Sequence, residues 1–200
     1  MKNNTIIRNT GSLELRYLDD NSESRTVFGY AIIFDSPSQD MGFIETIKRG
    51  AIDQTLVDNC DVFAKFNHYD DKVLARSNKG KGSLRLLVDD KGLYYEFEAP
   101  NTDLGDQLLE NIRRGEIYQS SFAFALNPKD KNAQKWEKRD GKMYRTINKI
   151  GYLFDISPVW TPAYIATSVD KRDLEDAEKK IQELEEKYNN MLEELNKFKI

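Results

Sequence analysis

Chemistry in this chain starts from scarcity: His68 is the only histidine and Cys60 the only cysteine in 200 residues. An imidazole titrates near neutrality and suits general acid–base work. To activate a hydroxyl it needs the proton donor on one ring nitrogen and an orienting acceptor on the other. The strongest hydroxyl candidates lie in GEIYQSSFAFAL, residues 115–126. Read as a strand, this segment puts Tyr118, Ser120, Phe122 and Phe124 on one face and Gln119, Ser121, Ala123 and Ala125 on the other. The aromatic face belongs to the core, so Ser120 is expected there. Small side chains beside Ser121 predict a shallow floor along which a substrate chain lies, which makes Ser121 the better nucleophile.

The orienting acid is expected from YLFDISPVW, where Asp155 interrupts an apolar strand between Phe154 and Ile156. A buried carboxylate is costly unless paired, and His68 is a fitting partner. A plainer alternative pairs Asp155 with a nearby Arg or Lys. Asp70 and Asp71 are closer to His68 along the chain, but HYDDK reads as a solvated turn. On spacing alone, His68, Ser121 and Asp155 are a constellation that many chains of this length could supply.

Other chemistries find little support. One His and one Cys eight residues apart cannot furnish a zinc shell, and no loop has EF-hand spacing, so no metal is expected. Neither GxGxxG nor GxxxxGK[ST] occurs, so no nucleotide cofactor is expected. Thirty basic and 34 acidic residues leave a net charge of −4, which points to neither nucleic acid nor an anionic membrane as partner. No apolar run reaches the roughly 20 residues of a membrane span, and MKNNTIIRNTGSLELRY lacks the apolar centre of a secretory signal. The reading is a soluble intracellular protein, with a lone thiol that fits a reducing compartment.

The elements that must position these residues are mostly short strands. TVFGYAIIF, DVFAKF, SLRLLV, GLYYEFEA, SSFAFAL, MYRTINKI and YLFDISPVW are rich in aromatic and aliphatic residues, and DDKG makes a hairpin-type turn. Residues 50–59 form a candidate short helix. Residues 101–115 form a better one, with Thr102 as cap, Gly115 as terminator and Leu104, Leu108, Leu109 and Ile112 as buried stripe. These features predict an α+β, β-rich domain over residues 1–168, a closed or nearly closed barrel with a few helices outside.

From residue 169 the composition changes. Leu174, Ala177, Ile181, Leu184, Tyr188, Met191, Leu195 and Phe198 keep a 3-4 spacing without a slip in a segment lacking Gly and Pro. That heptad seam predicts a coiled-coil-like helix over residues 169–200, pairing with another helix or with a second copy; the plainer alternative is a helix laid along its own domain.

Five segments in order, FGYAIIFDS with IETIKRGAID, FNHYDDKVLAR, KGLYYEFEAPNTDLGDQLLENIRRGEI, SSFAF and LFDISPVWTPAYIAT, resemble the prohead (capsid maturation) proteases of tailed bacteriophages, relatives in fold of the herpesvirus assemblin proteases. The resemblance runs from Phe28 to about Thr167. It implies a serine endopeptidase with His68 as base, Ser121 as nucleophile and Asp155 where relatives usually carry an acid. It also implies capsid scaffold, or the scaffolding segment of the major capsid protein, as substrate, along with the protease itself, and a place in the host cytoplasm inside the assembling prohead. Ala75 and Ala123 replace glycines common in the family. Asn67 and Arg76 match family positions and are read as stabilising the His68 loop. The oxyanion donors are expected from backbone N–H groups after Ser121 or in a neighbouring loop, with Arg145 a distant candidate. The rival reading is a catalytically inactive scaffolding module acting through the C-terminal helix.

Overall fold

The computed structural model describes residues 6–15, 24–160 and 168–197. In chain order its strands are β1 (Ile6–Leu15), β2 (Thr26–Ile33), β3 (Ile44–Ile47), β4 (Asp61–Lys65), β5 (Val73–Asn78), β6 (Lys81–Gly82), β7 (Leu84–Val88), β8 (Gly92–Glu98), β9 (Gln119–Ala125), β10 (Gln134–Arg139), β11 (Lys142–Ile147) and β12 (Tyr152–Val159). The helices are α1 (Gln54–Asn59), α2 (Asp103–Arg113) and α3 (Ser168–Lys197).

Nine strands form one sheet in the order β6-β5-β4-β12-β9-β1-β2-β8-β7, and β10-β11-β3 form a second. The class is α+β and strand-rich, but the expected barrel does not close. Among the described residues no ladder joins the β5–β6 edge to β7. β6 has two residues, and at Gly82, φ 135°, a Cβ would sit 2.1 Å from the Arg76 carbonyl oxygen, so that close β5–β6 approach needs glycine. The chain passes from β6 to β7 through Ser83.

Capping follows the sequence pattern. Leu56 N–H donates to the Asp53 carboxylate at 2.7 Å to start α1, and Gly105 N–H donates to Thr102 Oγ1 to start α2. Gly115 at φ 71° ends α2, whose Leu108 and Leu109 are buried while Leu104 and Ile112 are partly so. One large core gathers Phe122 and Phe124 of β9 with Tyr95, Phe97, Ile156 and Val62. Each fully buried side chain of this size contributes about 2–3 kcal/mol.

The first half of α3 packs on the small sheet. Leu174, Ala177 and Ile181 lie against Phe43, Met143 and Trp136, so this half follows the plainer alternative of a helix on its own domain. Farther along the same stripe Leu184, Tyr188 and Met191 are more than half exposed. Leu195 lies in the last turns and Phe198 outside the described residues.

Candidate active site

Three elements assemble the site: β9, β12 and the turn after β4. Antiparallel β9 and β12 pair Ser121 with Ser157 and Phe122 with Ile156, so Phe122 and Ile156 enter the core while Ser121 and Ser157 share the opposite face. Asp155 pairs with Ala123 two places from the Ser157–Ser121 pair, so alternation keeps it on the Ser121 side. A bulge between Leu153 and Asp155, with Phe154 as the extra residue, then lets Leu153 pair with Phe124 on the core side.

Parallel pairing of β12 with β4 sets Asp155 beside Phe63, so the β4 residues of that parity, Asp61, Phe63 and Lys65, share the site face. Beyond Phe66 the chain turns back. Asn67 and His68 adopt φ 53° and 61°, a left-handed pair that non-glycine residues seldom adopt. The Asn67 N–H donates to the Pro158 carbonyl at 2.9 Å, and Phe66 and Lys72 close the turn on each other. Together these bonds hold the imidazole over β12 and β9 at a conformational cost that the loop alone would not sustain.

His68 Nδ1 lies 2.6 Å from Asp155 Oδ1, and Nε2 lies 2.6 Å from Ser121 Oγ. A carboxylate only accepts, so Nδ1 carries the proton and the Nε2 lone pair faces the serine hydroxyl. Ser157 donates to Asp155 Oδ1 at 3.1 Å and lies 3.2 Å from Nδ1. Lys65 Nζ stands 3.5 Å from Asp155 Oδ2 and 2.8 Å from Asp70 Oδ1. Asp155 thus meets both partners weighed for it, the histidine and a lysine.

All three residues singled out in the sequence meet here. Ser120 takes the core side, 2.5 Å from the Tyr95 hydroxyl. Tyr95 is held well above the ordinary tyrosine range, since burial outweighs that contact. Two expectations need correction. The small-residue floor is not open: Ser121 is 0 % and Ala123 1 % exposed, with the His68 ring seated over Ser121 Oγ. Arg145 is no oxyanion candidate in this arrangement. It lies buried in the small sheet, its guanidinium donating to Glu45 at 3.1 Å and Gln134 at 2.7 Å. The Asp70 carboxylate is exposed as expected but bound to Lys65. Asn67 and Arg76 support the neighbourhood, Arg76 through a two-pronged pair with Asp61 at 2.6 and 2.7 Å.

Lys65 and Ser157 were not singled out in the sequence. Period-two alternation was the available signal: Ser157 follows Asp155 by two in β12, and Lys65 follows Phe63 by two in β4.

Residues 11–180 match the family of the caudovirus prohead serine protease. The chain belongs to that family. Its structure superposes on that of the bacteriophage T4 capsid assembly protease, gp21, with a TM-score of 0.48 and 14 % identity over 80 % of this chain and 98 % of that one. No curated protein matches the chain. In this prohead protease family member no group of His, Cys, Asp or Glu among the described residues could hold a metal ion, and no described helix is long and apolar enough to cross a membrane.

Proposed function

We propose that the chain is a capsid maturation endopeptidase in which Ser121 is the nucleophile, His68 the general base and acid, and Asp155 the residue that orients the ring. The observation that carries this reading is the continuous line of two 2.6 Å contacts from Asp155 through His68 to Ser121. Ser121 Oγ attacks a peptide carbonyl and passes its proton to Nε2. The protonated ring then gives that proton to the leaving amine, and a water repeats the cycle on the acyl-enzyme. Asp155 stabilises the imidazolium throughout without taking the proton itself.

The substrate class is the scaffold protein, or a scaffolding segment of the major capsid protein, with the enzyme's own chain as a further substrate. Ser121 is covered in this conformation, so a carbonyl reaches Oγ only after a movement of the protein. Such a resting state suits an enzyme that has to be packaged before it cuts. The exposed distal stripe of α3, Leu184, Tyr188 and Met191, is proposed to serve packaging by pairing with a helix of a scaffold segment or of a second copy.

The test is co-expression with the cognate capsid and scaffold proteins. The wild-type chain is expected to shorten them, and Ser121→Ala or His68→Ala to leave them at full length. Shortened products with Ser121→Ala would favour an inactive assembly module, with cleavage coming from elsewhere.

A further inference from the structure

Lys65 is a cation where lysines are rarely kept: its side chain is only 14 % exposed, on a sheet face that also carries Asp155, Ser157 and Ser121. It also divides its ammonium between two acids of unlike standing. Asp155 is 7 % exposed and touches the imidazole; Asp70 is 76 % exposed at the tip of the His68 turn. We infer that Lys65 is a positioning residue for the reaction, fixing the Asp155 carboxylate and cancelling part of its charge as felt by His68, and that Asp70 sets how much of the lysine's charge remains for that task. This inference rests on the serine-protease reading above.

The positioning follows from the two carboxylate oxygens. Oδ1 receives His68 and Ser157, while Oδ2 has Lys65 as its contact among the described residues. With both ends occupied, the carboxylate cannot rotate away from the ring. A bare buried carboxylate at 2.6 Å holds strongly the positive charge that the ring gains on taking the serine proton. A cation on the far side of the same carboxylate weakens that hold while leaving the hydrogen bond intact.

Among the described residues no other charge on this face competes. Among the described residues, β12 and β9 contribute only Asp155, β4 and β5 contribute the mutually paired Asp61 and Arg76, and Lys72 lies over the rings of Phe66 and Tyr69. Asp71 is exposed in the turn. Burial pulls the Lys65 ammonium down, but its bond to Asp70 and the charge of Asp155 outweigh burial and leave it above the ordinary lysine range. The ammonium is therefore charged throughout the pH range in which the histidine works.

The pH profile of kcat/KM on purified scaffold-bearing capsid protein tests the idea, because the two variants shift it in opposite directions. Lys65→Met exposes the ring to the full charge of Asp155 and moves the acidic limb upward. Asp70→Asn releases Lys65 entirely to Asp155 and moves that limb downward, a shift that shrinks in high salt because Asp70 is exposed. Lys65→Arg keeps the charge and holds the limb near its wild-type position.

An unmoved limb in Lys65→Met, or equal shifts in both variants, overturns the inference. Since Asp70 lies at the surface, its variant carries the test even if Lys65→Met fails to fold, and an unmoved limb in Asp70→Asn at low salt is then decisive. Loss of the underlying reading looks different: Ser121→Ala would cleave as fast as wild type, whatever the limbs do.

Discussion

Replacing Asp155 by Asn removes one charge and almost no volume, and the surroundings dictate how the amide must sit. The carboxylate has a cation near Oδ2, 3.5 Å from Lys65 Nζ, and the ring and Ser157 near Oδ1. An amide offers one acceptor and one donor. Lys65 attracts the oxygen to its own side, which turns the NH2 group toward His68 Nδ1. That nitrogen must then accept, so the ring proton moves to Nε2, the atom 2.6 Å from Ser121 Oγ. A protonated Nε2 cannot receive the serine proton, and the base is lost although every heavy atom stays in place.

The expected fall in kcat is about 10³–10⁴-fold, or about 4–5.5 kcal/mol of barrier, with KM little changed. Adding Lys65→Met frees the amide to turn its oxygen back to Nδ1, so the double variant is expected to cleave faster than Asp155→Asn alone. Rates on purified substrate, together with the ring-nitrogen shifts of His68 by NMR, read both effects. If Asp155→Asn keeps its rate within about tenfold of wild type while His68→Ala abolishes cleavage, His68 and Ser121 work as a dyad and the tautomer argument fails.

The neighbouring serines separate stability from chemistry. Ser120→Ala strips the buried Tyr95 hydroxyl of its 2.5 Å partner and is expected to cost about 1–3 kcal/mol in chemical denaturation while cleavage persists. Along α3, changing Leu184, Tyr188 and Met191 together to serine is expected to leave stability within about 0.5 kcal/mol but to lower the copies found in purified proheads. Ala177→Glu, set against Phe43 and Met143, is expected to lower the melting temperature as well.

The buried pair Arg145–Glu45 shows why chemistry-bearing residue types mislead when taken singly. A lone arginine in a β-rich domain looks available to an oxyanion. Here it braces the small sheet, linking β11 to β3 and β10 through Glu45 and Gln134 beneath the Trp136 ring. Removing water makes such a pair directional and demanding of geometry, so it secures the register of its strands and leaves no donor for a substrate.

What the sequence determined by itself is whatever depends on neighbours a few residues apart. Alternation in QSSFAFA sends Ser120 to the core and Ser121 to the other face, and Asp155 stands out as an acid in an apolar run. Asp53 and Thr102 mark their helices, and the α3 stripe shows in its 3-4 spacing. Strands such as QKWEKR and IETI escaped that reading because they are short or carry edge-strand charges that hide their alternation. Only the tertiary structure decided that β12 runs parallel to β4, about ninety residues earlier, and that it pairs with β9 in the register that sets Asp155 two places from the Ser157–Ser121 pair. It alone placed two left-handed residues so as to swing His68 over both, and set Lys65 behind the acid. Pairing partners and bulges are chosen by the energy of the whole sheet and its core, a sum over contacts distant in the chain that no local pattern encodes.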